Sequence, residues 1–261
     1  VIIQDNVKPS ITCPANITKA MDAGQCGATV SWTNPTASDN CDANPTVTQT
    51  LGQSSGSFFS EGSHNIEYKA TDLAGNESDL CSFTVTIESD AQKPNFNSTC
   101  ASYPTAFNTD ADECYSTINF TLPNPTDNCG VTELKAKIWD SNNNVVQNWT
   151  TNPDGQYAPD TYQIIWRAKD AAGNKKTCAT YFTVQDVQNP DAQCVANHVV
   201  QLSGGTASIS TADIDTGSSD NCSFNLSLSQ TDFDCDDRGN TTVTLTVTDD
   251  AGNKDQCTTD I

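Results

Sequence analysis

Apolar and polar residues alternate along much of this chain in short runs. Ile66, Tyr68 and Ala70 face one way ahead of Asp72-Leu73-Ala74-Gly75-Asn76, and Phe83, Val85 and Ile87 do the same after it. A period of two marks a strand with one buried face. Glycine supplies the positive φ that a tight reversal needs, and Asp and Asn side chains satisfy turn backbone groups, so the pentapeptide predicts the turn of a β-hairpin. Asp-x-Ala-Gly-Asn recurs at 170–174 and 249–253, preceded by Ile164, Trp166, Ala168 and by Val243, Leu245, Val247. No window carries a helical period.

Two further landmarks repeat in step. Asp-Asn-Cys stands at 39–41, 127–129 and 220–222. An acidic linker, with Asp four residues before Pro, stands at Asp5–Pro9, Asp90–Pro94 and Asp186–Pro190. Self-similarity at this spacing predicts three tandem units: 1–88 with 1–8 as linker, 89–184, and 185–261. Short strands between turn signals make each an immunoglobulin-like β-sandwich, an all-β fold.

The first unit resembles the hyalin-repeat, or HYR, family. The resemblance rests on Ile11-Thr12-Cys13-Pro14, Val30-Ser31-Trp32, Pro35 through Cys41, Gly56-Ser57-Phe58-Phe59, Tyr68 through Asn76, and Cys81 through Val85. The second unit keeps the landmarks but carries a longer insert, Trp139 to Tyr157; the third lacks the Trp strand. The resemblance implies an extracellular adhesion module of the kind found in tandem arrays on cell surfaces.

Composition narrows the function classes. Thirty-three acidic residues against twelve basic ones give a formal charge of -21, which excludes a nucleic-acid partner and favours cations. Twelve cysteines with no Cys-x-x-Cys pair point to disulfides in an oxidising compartment, outside the cytosol. No stretch is long and apolar enough to span a bilayer. The chain starts without Met, and its end joined to its beginning reads like the internal linkers, so it is expected to be one period of a longer array. Its two histidines, His64 and His198, lie in different units, and its paired carboxylates recur in every unit, as structural features do. No enzymatic activity is expected.

Four cysteines per unit allow three pairings each. The outer two keep their places, while the companion of the Asp-Asn-Cys thiol changes sides between units. This predicts Cys13–Cys81, Cys26–Cys41, Cys100–Cys178, Cys114–Cys129, Cys194–Cys257 and Cys222–Cys235, with the outer loops contributing ~4 kcal/mol each and the inner ones ~3 kcal/mol in the chain-entropy description.

In an immunoglobulin-like sandwich the Asp-Asn-Cys loop, the Asp-x-Ala-Gly-Asn turn and the entering linker share one end. The sets Asp5, Asp39, Asp72; Asp90, Asp127, Asp170; and Asp186, Asp220, Asp249 should then converge. Three hard oxygen donors suit calcium, which would stiffen the linkers; the same residues also form Asx-type turns without any metal. Exposed aromatics in the insert, such as Trp149 or Tyr157, leave a carbohydrate-binding reading open. The function expected is a structural segment of an extracellular adhesin or surface filament. Its partners would be further copies of the repeats, with surface glycans or proteins. The alternative is a glycan- or protein-binding accessory module of a secreted multidomain enzyme.

Overall fold

A computed structural model describes residues 2–97, 100 and 104–261. Strands and turns dominate; the helical pieces among the described residues are single turns at Thr211–Ile214 and Cys235–Asp237. The fold is all-β and immunoglobulin-like.

In the first copy of the landmark set, a four-stranded sheet runs in the order Ile17–Lys19, Cys81–Ile87, Gly62–Thr71, Thr46–Leu51. The first pair is parallel and the others antiparallel. Two ribbons accompany it: Ser10–Thr12 with Thr36–Ser38, and Ala28–Val30 with Ser57–Phe59. The inward residues Ile66, Tyr68, Phe83, Val85 and Ile87 meet Ala28, Val30 and Phe59 of the second ribbon, placing one core between two layers. Trp32 closes one side: its Nε1 donates to the Tyr68 hydroxyl at 3.0 Å and its ring stands edge-on to Phe83.

The second copy builds a five-stranded sheet in the order Val145–Thr150, Val131–Trp139, Asp160–Asp170, Lys175–Gln185, Ala106–Asn108, with a ribbon of Ser116–Ile118 and Gly155–Tyr157. The Trp139–Tyr157 insert is therefore an added edge strand, not an exposed loop. Tyr157 lies in the core with its hydroxyl donating to the Pro153 carbonyl at 2.5 Å, and Trp149 is half-buried. Tyr157 is thus not the exposed aromatic that the sequence suggested, because pairing with Ser116 turns it inward, while Trp149 keeps part of its surface exposed. Phe182 centres this core, with the rings of Phe107, Phe120, Tyr157 and Tyr162 at 5.0 to 6.1 Å.

The third copy has a three-stranded sheet, Phe224–Leu228, Thr242–Asp249, Lys254–Asp260, and a ribbon of Thr206–Ser208 with Asp232–Asp234. Val243 and Leu245 pack with Ile209, Ile214 and Phe233. In all three copies the glycine of the repeated turn, Gly75, Gly173 and Gly252, takes a φ of +88° or +96°, which a side chain would resist.

The chain forms two compact units. One holds Val1–Ser98, Asn124–Leu134 and Arg167–Lys176; the other holds Thr99–Pro123, Lys135–Trp166 and Thr177–Ile261. The first unit thus contains the first copy with the Asp-Asn-Cys loop and the glycine turn of the second.

Disulfides Cys13–Cys81, Cys100–Cys178 and Cys194–Cys257 join the outer cysteines of each copy. The inner pairings differ from those the sequence suggests. Cys26 bonds Cys129, Cys114 bonds Cys222, and Cys41 and Cys235 are free thiols. Cys26–Cys41, Cys114–Cys129 and Cys222–Cys235 do not form. Between Cys26 and Cys41 lie the strands Ala28–Val30 and Thr36–Ser38. Cys26 lies against the Asp-Asn-Cys loop of the second copy, its Cα 4.7 Å from that of Cys129, whereas Cys41 stays in the loop of the first copy, its backbone N–H donating to Asp39. Each inner bond reaches instead from one copy to the next, over separations of 103 and 108 residues. Loops of that size contribute about 4.7 kcal/mol in the chain-entropy description, more than the short loops expected.

Two outcomes follow. Phe182→Ala removes the ring that four others surround and should lower stability by ~3–5 kcal/mol, read by denaturant unfolding with the disulfides intact; a loss under ~1 kcal/mol would contradict the packing described. Maleimide treatment of the unreduced protein should label Cys41 and Cys235 alone, and peptide mapping should recover Cys26 joined to Cys129 and Cys114 to Cys222. Recovery of a Cys26–Cys41 peptide would overturn the inner pairing.

Candidate metal centres

Each candidate centre draws one aspartate from a turn, one from a loop and one from a linker. The turn aspartate ends a long strand and is gripped by the asparagine four residues on. Asp72 Oδ1 accepts from Asn76 N–H and Oδ2 from Asn76 Nδ2, both at 2.8 Å. Asp170 with Asn174 and Asp249 with Asn253 repeat the arrangement at 2.7 to 2.9 Å. The same asparagine amide also donates to the linker carbonyl, at Asp5, Asp90 and Asp186, with distances of 3.2, 3.0 and 3.3 Å. One side chain therefore ties turn to linker in every copy.

The other two aspartates spend one oxygen on a local turn. Asp39, Asp127 and Asp220 accept from the N–H of Cys41, Cys129 and Cys222 at 2.8 to 2.9 Å. Asp5, Asp90 and Asp186 accept from Val7, Gln92 and Gln188 at 2.9 to 3.1 Å. Asx-type turns are thus present, yet they leave the second oxygen over. Asp39 Oδ1, Asp90 Oδ2, Asp127 Oδ2, Asp186 Oδ2 and Asp220 Oδ1 are buried without a hydrogen-bond partner among the described residues.

In each set, one oxygen per residue lies within 4.8 Å of the others: Asp5, Asp39 and Asp72; Asp90, Asp127 and Asp170; Asp186, Asp220 and Asp249. Asp170 is fully buried, and Asp72, Asp90, Asp186 and Asp249 are nearly so. Among the described residues none of the nine forms an ion pair. Burial pushes the Asp220 carboxyl up, reinforced by the facing Asp186 and Asp249. Burial acts in the same sense on Asp72, but hydrogen bonds from Asn76 and the Ala74 and Gly75 amides outweigh it and hold that carboxyl low. The Cys41 thiol is raised by desolvation and then by Asp5 and Asp39.

Two further groups stand at these centres that the sequence reading missed. Asn128 and Asn221, the middle residues of Asp-Asn-Cys, each keep Oδ1 buried and unpartnered. Their Nδ2 atoms donate to the linker carboxylates Asp90 and Asp186 at 3.2 and 3.3 Å. They also donate to the Gln25 and Glu113 carbonyls at 3.2 and 3.1 Å. Only their recurrence beside the aspartate could have signalled them.

Family models match three stretches of the chain. The HYR domain model matches residues 4–87, and the bacterial Ig-like domain model matches 116–187 and 193–260, the latter covering more than half of the chain. Hyalin of Strongylocentrotus purpuratus is 28% identical over 97% of this chain, which spans 20% of that protein. Hyalin of Lytechinus variegatus is 26% identical over 80% of this chain and 37% of its own length. This chain therefore corresponds to a minor part of either relative. Among solved structures, a protocadherin gammaB7 EC3-6 cis-dimer aligns over 98% of this chain and 78% of that chain, with 12% identity and a TM-score of 0.35, too low to support any conclusion. The chain belongs to the bacterial Ig-like domain family, and its residues 4–87 match the HYR domain model.

Proposed function

We propose that the chain is a structural repeat segment of an extracellular adhesive or filamentous protein, built as three tandem sandwiches (1–88, 89–184, 185–261) whose Asp-Asn-Cys junctions hold calcium. The observation that carries this reading is the set of orphaned oxygens. A buried carboxylate oxygen without a donor is costly, and three carboxylates brought together without a cation repel one another. A calcium ion relieves both. It takes six to eight oxygens in irregular geometry; each centre offers carboxylates from three stretches, and the second and third add the orphaned side-chain oxygen of Asn128 or Asn221. Once bound, calcium would supply the positive charge that holds linker, loop and turn together. The donors are hard oxygens, which suits calcium better than zinc or copper.

Extracellular placement draws support from five disulfides, which persist in oxidising surroundings, and from the likeness to hyalin over nearly the whole chain. No helix among the described residues is long and apolar enough to cross a membrane. Disulfides that reach from one copy to the next, and centres that recur at each linker, suit a segment whose task is to hold its copies together.

Calorimetric titration of the oxidised protein should show about three calcium sites, and Asp127→Asn combined with Asp170→Asn should remove one and leave the rest. Absence of calcium binding, or a stoichiometry unchanged by that double substitution, would refute the calcium reading and reduce the clusters to turn chemistry.

A further inference from the structure

Two free thiols remain once the disulfides are assigned, and they are the two halves of a bond the chain makes twice. Cys129 and Cys222, the thiols of Asp-Asn-Cys, bond Cys26 and Cys114. Both partners lie at the same place in the fold, two residues ahead of a ribbon strand, Ala28–Val30 or Ser116–Ile118. Cys41 is the Asp-Asn-Cys thiol of the first copy, and it is exposed and free.

Its counterpart sits in the third copy, shifted to the neighbouring strand. The equivalent ribbon there pairs Thr206 with Asp234. No cysteine stands two residues ahead of Thr206, where Gly204 takes that place. Cys235 instead follows Asp234 on the partner strand, its Sγ 3.8 Å from the Gly205 carbonyl. The end of the ribbon that carries Cys26 in the first copy and Cys114 in the second thus carries Cys235 in the third, exposed and free.

A second set of contacts points to the same missing partner. At both internal bonds the asparagine of Asp-Asn-Cys donates to the carbonyl just before the bonded cysteine, Asn128 to Gln25 and Asn221 to Glu113. Asn40, its equivalent in the first copy, reaches only its own neighbour Cys41 Sγ among the described residues. Amide and thiol both lack the ribbon end that their counterparts grip.

We infer that Cys41 and Cys235 join successive copies of this chain head to tail: Cys235 of one copy bonds Cys41 of the next, and Asn40 of that copy takes the Asp234 carbonyl. Formation requires a disulfide oxidant, supplied in the test as oxidised glutathione. A Cys235 or Cys41 thiolate attacks it and releases one glutathione thiol. The other cysteine then attacks the mixed disulfide and releases the second, so two protein thiols become one disulfide and one oxidised glutathione becomes two reduced ones. The inference rests on the proposed function in taking the chain to work outside the cell, and it extends that function from a segment to a polymer.

The oxidised protein, concentrated with oxidised glutathione, should give a ladder of reducible multimers on a non-reducing gel, with a Cys41–Cys235 peptide on mapping. Cys41→Ser alone and Cys235→Ser alone should give no ladder, and an equal mixture of the two should stop at the dimer. Both thiols are exposed and unbonded, so neither substitution removes a disulfide. Symmetric Cys41–Cys41 or Cys235–Cys235 dimers as the main product, or no multimers, would overturn the inference. Calcium titration of the Cys41→Ser, Cys235→Ser double variant, which keeps all nine aspartates, separates the two readings. A ladder without calcium binding defeats the calcium reading alone, and calcium binding without a ladder defeats only the polymer.

Discussion

Holding three carboxylates within 4.8 Å of one another, mostly out of water, is the constraint around which this structure is organised. Like charges at that spacing push apart, so every element meeting there is fastened. The glycine turn sets the first aspartate at a strand end, its asparagine clamps both that carboxylate and the linker carbonyl, and the Asp-Asn-Cys loop contributes its own N–H groups. At the second and third centres a disulfide anchors the loop as well.

The sandwiches themselves ask less of their sequence. Their cores are thin, and the same alternating positions fill them in each copy: Ile66, Tyr68 and Ala70, then Ile164, Trp166 and Ala168, then Val243, Leu245 and Val247, all buried. These nine were legible because a half-buried strand writes its period of two directly into the chain. The glycine turns were legible for a comparable reason: few residues take positive φ, so a recurring Gly beside Asp and Asn admits few conformations. The convergence of the nine aspartates was legible from where an immunoglobulin-like fold puts its loops.

What could not be read concerned direction and depth. Cys26 and Cys41 look close in sequence, but Cys26 meets the Asp-Asn-Cys loop of the second copy while Cys41 stays beside Asp39 in the first, so chain proximity misleads. An even count of four per copy hid the two thiols left over. Tyr157 read as exposed because its segment looked like an insert; its inward side follows from pairing with Ser116, which local pattern does not encode. Asn128 and Asn221 went unread beside their aspartates, because the orphaned oxygen on each appears only once the linker and the preceding copy are in place.

The order of the five disulfides has a consequence for the chain as a connected object. Their spans, 13–81, 26–129, 100–178, 114–222 and 194–257, overlap without a gap. Pairings confined within copies would have left the linkers after Cys81 and Cys178 as places where one broken peptide bond parts the chain. With the inner bonds reaching across, a single cut anywhere between Cys13 and Cys257 leaves both pieces attached until a reductant arrives. The chain can thus be nicked without shedding material.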